Sequence, residues 1–562
     1  MTRTAALAFA RLLVASWLGM LSWTATLPAG ERDEIIENTV VRLGRESNQV
    51  MGHLDYLTNR IGARLTGSQG DHLACEWVRQ QLESYGLQNV RMEEAGEFPV
   101  GFERGPWKGR MVAPVEMALE FGTPAWTAGT RGTVRGPARL LPADPSSADP
   151  SAYRGAWILM TRSPNRRDEA AQKLRREQTA FLESANVAGF LYATRGEYVV
   201  TFGNPRLSWD RLPTTPRVQL IQPQWEEINR RLQGGEEVVL EFDIRNRFVP
   251  GPVKYYNVIA DLIGTEFPDE YVILGGHIDS WDGATGTTDN AIGVAVNLEA
   301  ARLLTAAGAR PRRTIRFAFW SGEEQGLLGS QAYIRQYEST MTKTSGVFVW
   351  DGGTNVVVGI PASEAMYEDM QRAFAAVNAV NPEYPFVIQR DKGLPVGIGS
   401  DQDSFLRVNV PGFFWSQEGR VDYRHGMHTQ FDTFDLAVPE YLEHSATVVA
   451  LGGLGVANLD GLLSRENLRA PRAPEGRRMG VFLDDLTIED VTPDSVAARA
   501  GLLAGDVFQS VDGQPVAGRP ELVQAISAGA PRKTVVVLRD GKNVELILEW
   551  PQEPVKPARE AF

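Results

Sequence analysis

Between Tyr271 and Glu324 the chain reads YVILGGHIDSWDGATGTTDNAIGVAVNLEAARLLTAAGARPRRTIRFAFWSGEE. His277, Asp279, Asp289, Glu323 and Glu324 are the residues here whose types and order could do chemistry. Imidazole nitrogen and carboxylate oxygen are borderline-to-hard ligands that suit zinc, and catalytic zinc keeps a position open for water. A carboxylate set between two metals can bridge them, and a pair roughly 3.5–4 Å apart can clamp attacking and leaving oxygens together. Asp279, two residues beyond His277, projects from the same strand face and is placed to accept the second imidazole N–H. Glu323 and Glu324 are adjacent, so at a strand end they point in different directions. One can ligate metal while the other takes the proton of a bound water. Any of these carboxylates alone reads as a solvated strand-end charge, whereas the ordered set reads as a metal-centred active site.

The elements that must position these groups follow from the pattern around them. An apolar run from Tyr271 to Gly276 delivers His277 at its carboxyl end, and a Gly/Thr-rich loop then carries Asp289. Apolar residues recur at helical spacing from Ala291 to Ala307, and a second apolar run, Thr314 to Trp320, leads to Glu323 and Glu324. The order is strand, loop, helix, strand, with the chemistry at the carboxyl ends of the strands, where open α/β sheets form their ligand crevice.

The run GGHIDSWD…TTDNAIGVA…FAFWSGEEQGLLGS resembles the co-catalytic zinc exopeptidase family that includes plasma glutamate carboxypeptidase (carboxypeptidase Q) and bacterial zinc aminopeptidases. The resemblance spans the chain from about residue 50 to about 460 and implies an α/β fold with a mixed central sheet flanked by helices. It also implies two zinc ions per chain, held by His277, Asp289, Glu324, Asp351 and His428, with Glu323 as general base and a cis peptide from Asp289 to Asn290. Asp351 closes the apolar run Gly346–Trp350, and His428 sits in HTQFDT, similar to the family's His-Ser/Thr-x-x-Asp-Thr motif. Ser400 and Asp401 match a step that precedes substrate-pocket residues in relatives. Gln402 stands where a His is common, which leaves the metal set intact and changes the pocket. Tyr423, Arg424 and His425 are candidates for contacting a substrate carbonyl or carboxylate, or for stabilising an oxyanion.

The whole chain has 562 residues, 43% hydrophobic and 23% charged, enough for three or four domains. Its 57 Lys and Arg against 70 Asp and Glu, with no sustained basic run, exclude nucleic acid as an expected partner. The single cysteine, Cys75, allows no intrachain disulfide and reads as a small buried core residue. Residues 1–29 carry Arg3 and Arg11, an apolar stretch Leu12–Leu21 and then small residues, the pattern of a secretory signal peptide. The apolar stretch falls short of the roughly 20 residues a membrane span needs, so a periplasmic or secreted protein is expected.

The remaining boundaries follow composition. Residues 30–119 read as the amino-terminal part of the peptidase domain, and His53 and His72 within it as structural or surface histidines. Over 120–248 short β-like runs alternate with Gly and Pro turns and with helical patterns at Arg167–Ala185 and Trp225–Gln233. This resembles the protease-associated α+β insert that the family often carries. The basic run Arg162–Arg176, offset by Asp168 and Glu169, reads as a solvated helix face. Residues 249–465 complete the catalytic domain. Here YYNVIADLIG and YVILGGHID are expected to pair as neighbouring strands, and His444 is expected to be structural in a helix over Val438–Leu454. A Pro- and Arg-containing linker covers 466–476, residues 477–552 look like a PDZ domain, and 553–562 form a tail. PDZ domains take peptide carboxyl termini by strand addition, and the expected carboxylate loop is Met479, Gly480, Val481 and Phe482. Asp540-Gly541 between β-rich runs signals a hairpin.

Together these readings describe an extracytoplasmic dinuclear zinc exopeptidase acting on peptides or dipeptides, of carboxypeptidase or dipeptidase type. An aminopeptidase with the same site is the alternative. A non-catalytic binding protein on this fold would lack ligands, and none is lacking. Glutaminyl cyclisation would use one zinc, against the bridging Asp289. A homodimer stays open.

Overall fold

The computed structural model describes residues 29–142, 144–160, 169–469, 479–484, 486–491, 495–527, 530–539 and 541–550. The expected signal peptide, most of the linker and the tail lie outside them, as do residues 162–168 of the basic run. Among the described residues no helix is long and apolar enough to cross a membrane.

The site is organised by a six-stranded sheet in the order Gln88–Glu103, Arg247–Leu262, Arg313–Trp320, Phe267–His277, Thr344–Val349, Gly412–Phe414. Its first two pairings are antiparallel and the other three parallel. Every residue of Arg313–Trp320 and of Thr344–Val349 is buried, as parallel strands covered on both faces require. Ile292–Ala306 covers this sheet with twelve of its residues buried, and Pro439–Ala457 packs beside it. Both helices are apolar nearly all round, which is the pattern of helices inside a core. Filling one such position, as Leu298 does at 0% exposure, contributes roughly 1.5–3 kcal/mol. Gln69–Ser84 begins at Ser68, whose Oγ accepts from Asp71 N at 3.3 Å.

One pairing differs from expectation. Arg247–Leu262 and Phe267–His277 are not neighbours: Arg313–Trp320 lies between them, antiparallel to the first and parallel to the second. The connecting turn explains it. Gly264 N donates to Thr314 Oγ1 at 3.0 Å, Thr265 N to Pro311 O at 2.9 Å and Phe267 N to Arg312 O at 2.8 Å, so the turn is bonded to the incoming third strand. Gly264 packs on that strand's backbone so closely that a Cβ there would meet Arg313 C at 2.5 Å.

The insert is built on a mixed eight-stranded sheet, whose strands include Trp107–Ala113, Val134–Leu140, Trp157–Met160 and Val239–Ile244, with the helices Glu169–Ala185 and Gln222–Gln233. Trp157, Leu240 and Phe242 centre its own core. The carboxyl-terminal unit is an antiparallel sheet around Ile488, Phe508, Leu522, Val535 and Leu548. Arg532–Arg539 and Lys542–Glu549 pair antiparallel across the expected hairpin. Of the four residues expected to form a carboxylate loop, Met479 and Gly480 precede the first strand, with Gly480 at φ +84° and Met479 O accepting from Ala497 N. Val481 and Phe482 instead lie in that strand, paired with Val491 and Asp490.

Candidate metal centre

Strand register brings His277, at the end of Phe267–His277, beside Trp320, at the end of Arg313–Trp320. Trp350 N bonds Gly275 O at 2.9 Å, which sets Asp351 at the same edge. His277 Nε2 lies 3.1 Å from Asp289 Oδ1 and 3.4 Å from Asp351 Oδ1. On the other side of Asp289, His428 Nε2 lies 3.0 Å from Asp289 Oδ2 and 3.1 Å from Glu324 Oε2. Two trios of ligand-type residues therefore share Asp289, with the ligand atoms of each within 4.8 Å of one another. Although close to two carboxylates, His277 Nε2 meets neither in hydrogen-bonding geometry, and Glu324 Oε1 is likewise buried without a partner. Converging donors that do not bond one another are what a cation site requires, and one imidazole with two carboxylates on each side fits zinc.

The electrostatics agree. Burial disfavours the charged imidazole of His277, yet Asp351, Asp279 and Asp289 hold its pKa well above the usual range. At His428 burial is likewise outweighed by Asp289 and Glu324, and the pKa is pushed up to about 11. Burial and the charge of Asp289 push the Glu324 carboxyl up to about 7. Glu323 is raised well above the carboxylate range by burial, with Asp351 and Glu324 adding to it against the pull of His277. A cation at the centre of this acidic cluster relieves these conflicts.

Asp279 acts differently from the expectation. His277 Nδ1 donates to the backbone carbonyl of Asp279 at 3.0 Å, while the carboxylate oxygen is 3.5 Å away. A carbonyl only accepts, so the proton sits on Nδ1 and Nε2 is left free for metal. The Asp279 carboxylate instead accepts from Thr66 Oγ1 at 2.6 Å and from the backbone N–H of Glu323 and Glu324 at 3.2 and 3.4 Å. It thereby fixes the turn that presents both glutamates. The Asp289-Asn290 peptide is cis.

Of the substrate candidates, Ser400 and Tyr423 line a cavity of about 410 Å³ together with Asp289, Glu323, Glu324, Asp351 and His428. Tyr423 also donates its hydroxyl to Asp351 Oδ1 at 3.4 Å. Asp401 is fully buried near the cavity, and burial pushes its carboxyl up to about 7. Arg424 and His425 are not brought to the cavity. The Arg424 side chain is 86% exposed beside Asp422, and His425 stacks on Phe431 at 4.7 Å with Nδ1 3.4 Å from the Tyr198 hydroxyl of the insert. His53 pairs with Glu299 in the core, and His72 lies at the surface beside Glu76.

Three clamps escaped the sequence reading. The fully buried Arg64 donates to Ile278 O at 2.8 Å, Gly62 O and Thr285 O at 2.9 Å and Gly286 O at 2.7 Å, tying the His277 strand end to the Asp289 loop. Nothing in RIGARLTGS announces this, because its partners are carbonyls. Asp432 accepts from Thr288 N at 2.5 Å, Thr288 Oγ1 at 2.8 Å and Asp289 N at 3.2 Å. Its signal was present, since it is the Asp of HTQFDT. From the insert, Thr201 N donates to His428 O at 2.7 Å and Val199 N to Gln430 Oε1 at 2.8 Å.

Residues 257–451 match the model of Peptidase family M28, and residues 487–540 match that of a PDZ domain. Mouse carboxypeptidase Q is 26% identical over 436 residues, covering 75% of this chain and 88% of the mouse protein. A probable zinc metalloprotease of Pyrenophora teres f. teres is 44% identical over 96 residues, 16% of this chain and 20% of its own length. The crystal structure of a peptidase M28 precursor from Shewanella amazonensis superposes with a TM-score of 0.56 at 23% identity, covering 77% of this chain and 98% of that one. The two chains share their fold.

Proposed function

We propose that this chain, a zinc metallopeptidase of the M28 family carrying a PDZ domain, holds two zinc ions and removes residues from peptide ends outside the cytoplasm, as a carboxypeptidase or dipeptidase. His277 and Asp351 would hold one ion and Glu324 and His428 the other, with Asp289 common to both sets. The observation that carries the reading is the pair of trios sharing Asp289 with Glu323 on the same cavity wall. Zinc bound there supplies a water acidified toward neutrality and a polarised scissile carbonyl.

The rest falls to the chain's own groups. Glu323 accepts the water proton and passes it to the leaving amine, a task suited to a carboxyl whose pKa lies above the usual range. Asp279 holds the Glu323 and Glu324 backbone so that the two carboxylates keep separate roles. The Tyr423 hydroxyl, on the cavity wall, would turn its proton from Asp351 Oδ1 to the substrate carbonyl. Similarity to carboxypeptidase Q favours a free carboxylate on the substrate. One observation favours the second reading, an aminopeptidase: the buried Asp401 carboxyl, next to Ser400 of the cavity wall and within the field of His277, puts an acid near the place a free amine would take.

The test is zinc content together with hydrolysis of dipeptides blocked at the amino end, the carboxyl end or neither. Two zincs per chain with cleavage only when the carboxylate is free establish the first reading. Cleavage only when the amine is free establishes the second. No metal and no cleavage removes both. Glu323→Gln is expected to lower kcat by roughly 10²–10⁴ through the lost proton transfer, with zinc retained. Normal turnover in that variant would assign the base elsewhere.

A further inference from the structure

From Gly412–Phe414, the edge of the metal-bearing sheet, the chain runs through Trp415 into a smaller three-stranded sheet. Its middle strand, Val356–Ser363, pairs in parallel with Val387–Asp391 and antiparallel with Ser416–Glu418. Register and side-chain alternation put Pro361, Gln389, Asp391 and Ser416 on one face. Across that face Ser416 Oγ donates to Gln389 Oε1 at 2.9 Å. Ile360 and Ile388 alternate to the other face and join the core. Arg390 is on their side of its strand, where it donates to Glu364 Oε2 at 2.6 Å and lies 4.8 Å from the centre of the Tyr367 ring. The Arg390 cation is thereby turned away from the Asp391 face.

The Asp391 face borders a second cavity of about 140 Å³, which has room for several waters or a side chain. Its apolar wall is Pro361, Pro395, Ile398, Phe414 and Trp415. Among the described residues that line it, Asp391 is the one ionisable group; it is exposed, and no ion pair of the described residues includes it. Ile398 and Phe414 also belong to the wall of the metal cavity, so the two spaces adjoin. Phe414 pairs with Val349, two residues before Asp351, which puts the second cavity one strand from the metal centre. The loop that carries Pro395 and Ile398 is fixed by Asp403, whose carboxylate accepts from Gly397 N and Gly399 N, both at 2.9 Å.

We propose that this second cavity is a side-chain subsite of the peptidase, that Asp391 determines its specificity, and that it selects a basic substrate residue, lysine or arginine. The claim rests on the peptidase reading above. A long basic side chain lays an apolar stem along apolar surface and keeps its charged head in water. A stem against Ile398, Phe414 and Pro361 with the head at Asp391 matches both parts of the lining. A methionine fills the same stem space and leaves Asp391 to water. A glutamate meets no cation there and brings a second carboxylate to the first. Because Asp391 is exposed, the pair is screened, so the preference is modest and falls with salt.

The experiment measures kcat/KM of the zinc-loaded full chain on two dipeptide series, Ala-X and X-Ala, with X lysine, methionine or glutamate. In one series lysine is expected to exceed methionine roughly three- to tenfold at low salt, and glutamate by more. Asp391→Asn is expected to bring the lysine-to-methionine ratio to about one, mainly through KM, and Asp391→Lys to put glutamate above lysine. Glu364→Gln makes the same charge change on the Arg390 side of the strand and should leave the ratio as in wild type. An unchanged ratio in Asp391→Asn, an equal fall in Glu364→Gln, or a wild type that does not favour lysine in either series overturns the proposal. If Asp391→Asn does not melt cooperatively, Asp391→Ser is measured in its place against the same ratio. If the wild type cleaves no dipeptide, the peptidase reading fails, and the subsite is read by calorimetry with alanyl-lysine and lysyl-alanine. Binding of either to wild type that is lost in the Asp391 variant supports the subsite, and equal binding or none overturns it.

Discussion

The two halves of the metal centre are built by different means. His277 and Asp351 stand at the ends of adjacent parallel strands, and the His277 side chain is fully buried. Sheet register sets their spacing, so few additional bonds are needed. His428 sits on a loop at φ +60°, with its side chain 33% exposed. A non-glycine residue in that region is strained and persists only when its surroundings over-determine it. Here the surroundings are the Thr201 N–H of the insert, on the His428 carbonyl, and Asp432, four residues along the same loop, on the Thr288–Asp289 backbone. One half is held by secondary structure and the other by contacts across sequence, and they should fail separately.

The largest break is expected from the clamp common to both halves. Arg64→Met removes donors from four carbonyls, three of which serve the His277 strand end and the Asp289 loop. Leaving buried acceptors unpaired costs on the order of 1–3 kcal/mol each. Thermal unfolding should show a large loss of Tm, with both metal positions lost together. A variant that kept wild-type Tm and zinc content would show that sheet register alone holds the centre.

A smaller, one-sided effect is expected from Asp432→Ala. It frees the Thr288–Asp289 backbone and loosens the loop of His428, while His277 and Asp351 keep their strand positions. Zinc titration should resolve one site near wild-type affinity and one weakened roughly 10–100-fold, the usual scale for losing a partner that orients a ligand. Equal weakening of both sites would mean that Asp289 alone transmits the damage. Thr201→Pro, which removes the N–H that bonds His428 O along with the buried threonine side chain, should weaken the same site by no more than about tenfold, since one neutral hydrogen bond contributes roughly 0.5–1.5 kcal/mol. No change there would make the insert irrelevant to the metal.

The same division decides what could be read from the sequence. His277, Asp289, Glu323 and Glu324 sit next to apolar runs whose period marks strands and a helix, so the placement of His277 and the two glutamates after strands and of Asp289 before the helix followed from local pattern. Pairing order did not: the turn after Leu262 bonds to residues 311–314, a choice made by Gly264's fit against a strand some fifty residues away. Asp279 was expected to orient His277 with its carboxylate, and its backbone carbonyl does so while the carboxylate holds the Glu323 and Glu324 amides. Two acceptors on one residue cannot be told apart by spacing. Arg424 and His425 stood in the right motif region yet turn away from the cavity, because a short helix over Tyr423–Gly426 directs successive side chains to different faces. Arg64 carried no signal, as buried arginines that bind carbonyls leave no partner residue to recognise.

A buried imidazole away from the metal centre sharpens the comparison, with no acid among the influences on it. His444, 6% exposed in the helix Pro439–Ala457, has neither ring nitrogen hydrogen-bonded among the described residues. Burial dominates its pKa, outweighing the opposing backbone contact at Val357, and takes it down to about 4, whereas carboxylates drive His277 and His428 the other way. The folded chain holds His444 neutral while the unfolded chain binds a proton near the ordinary histidine value of about 6.5. Between those two values the unfolded state carries more protons, so this residue's contribution lowers stability as pH falls from about 6.5 toward 4 and is flat above that window. Over the full window the loss is roughly 3 kcal/mol. His444→Leu removes the titration and fills the site with an apolar side chain. The Tm of the variant relative to wild type should therefore rise steadily as pH falls from 7 to 5, while zinc binding at pH 7 stays as in wild type. A difference in Tm that does not vary with pH would mean that His444 finds a partner in solution, and that burial does not govern it.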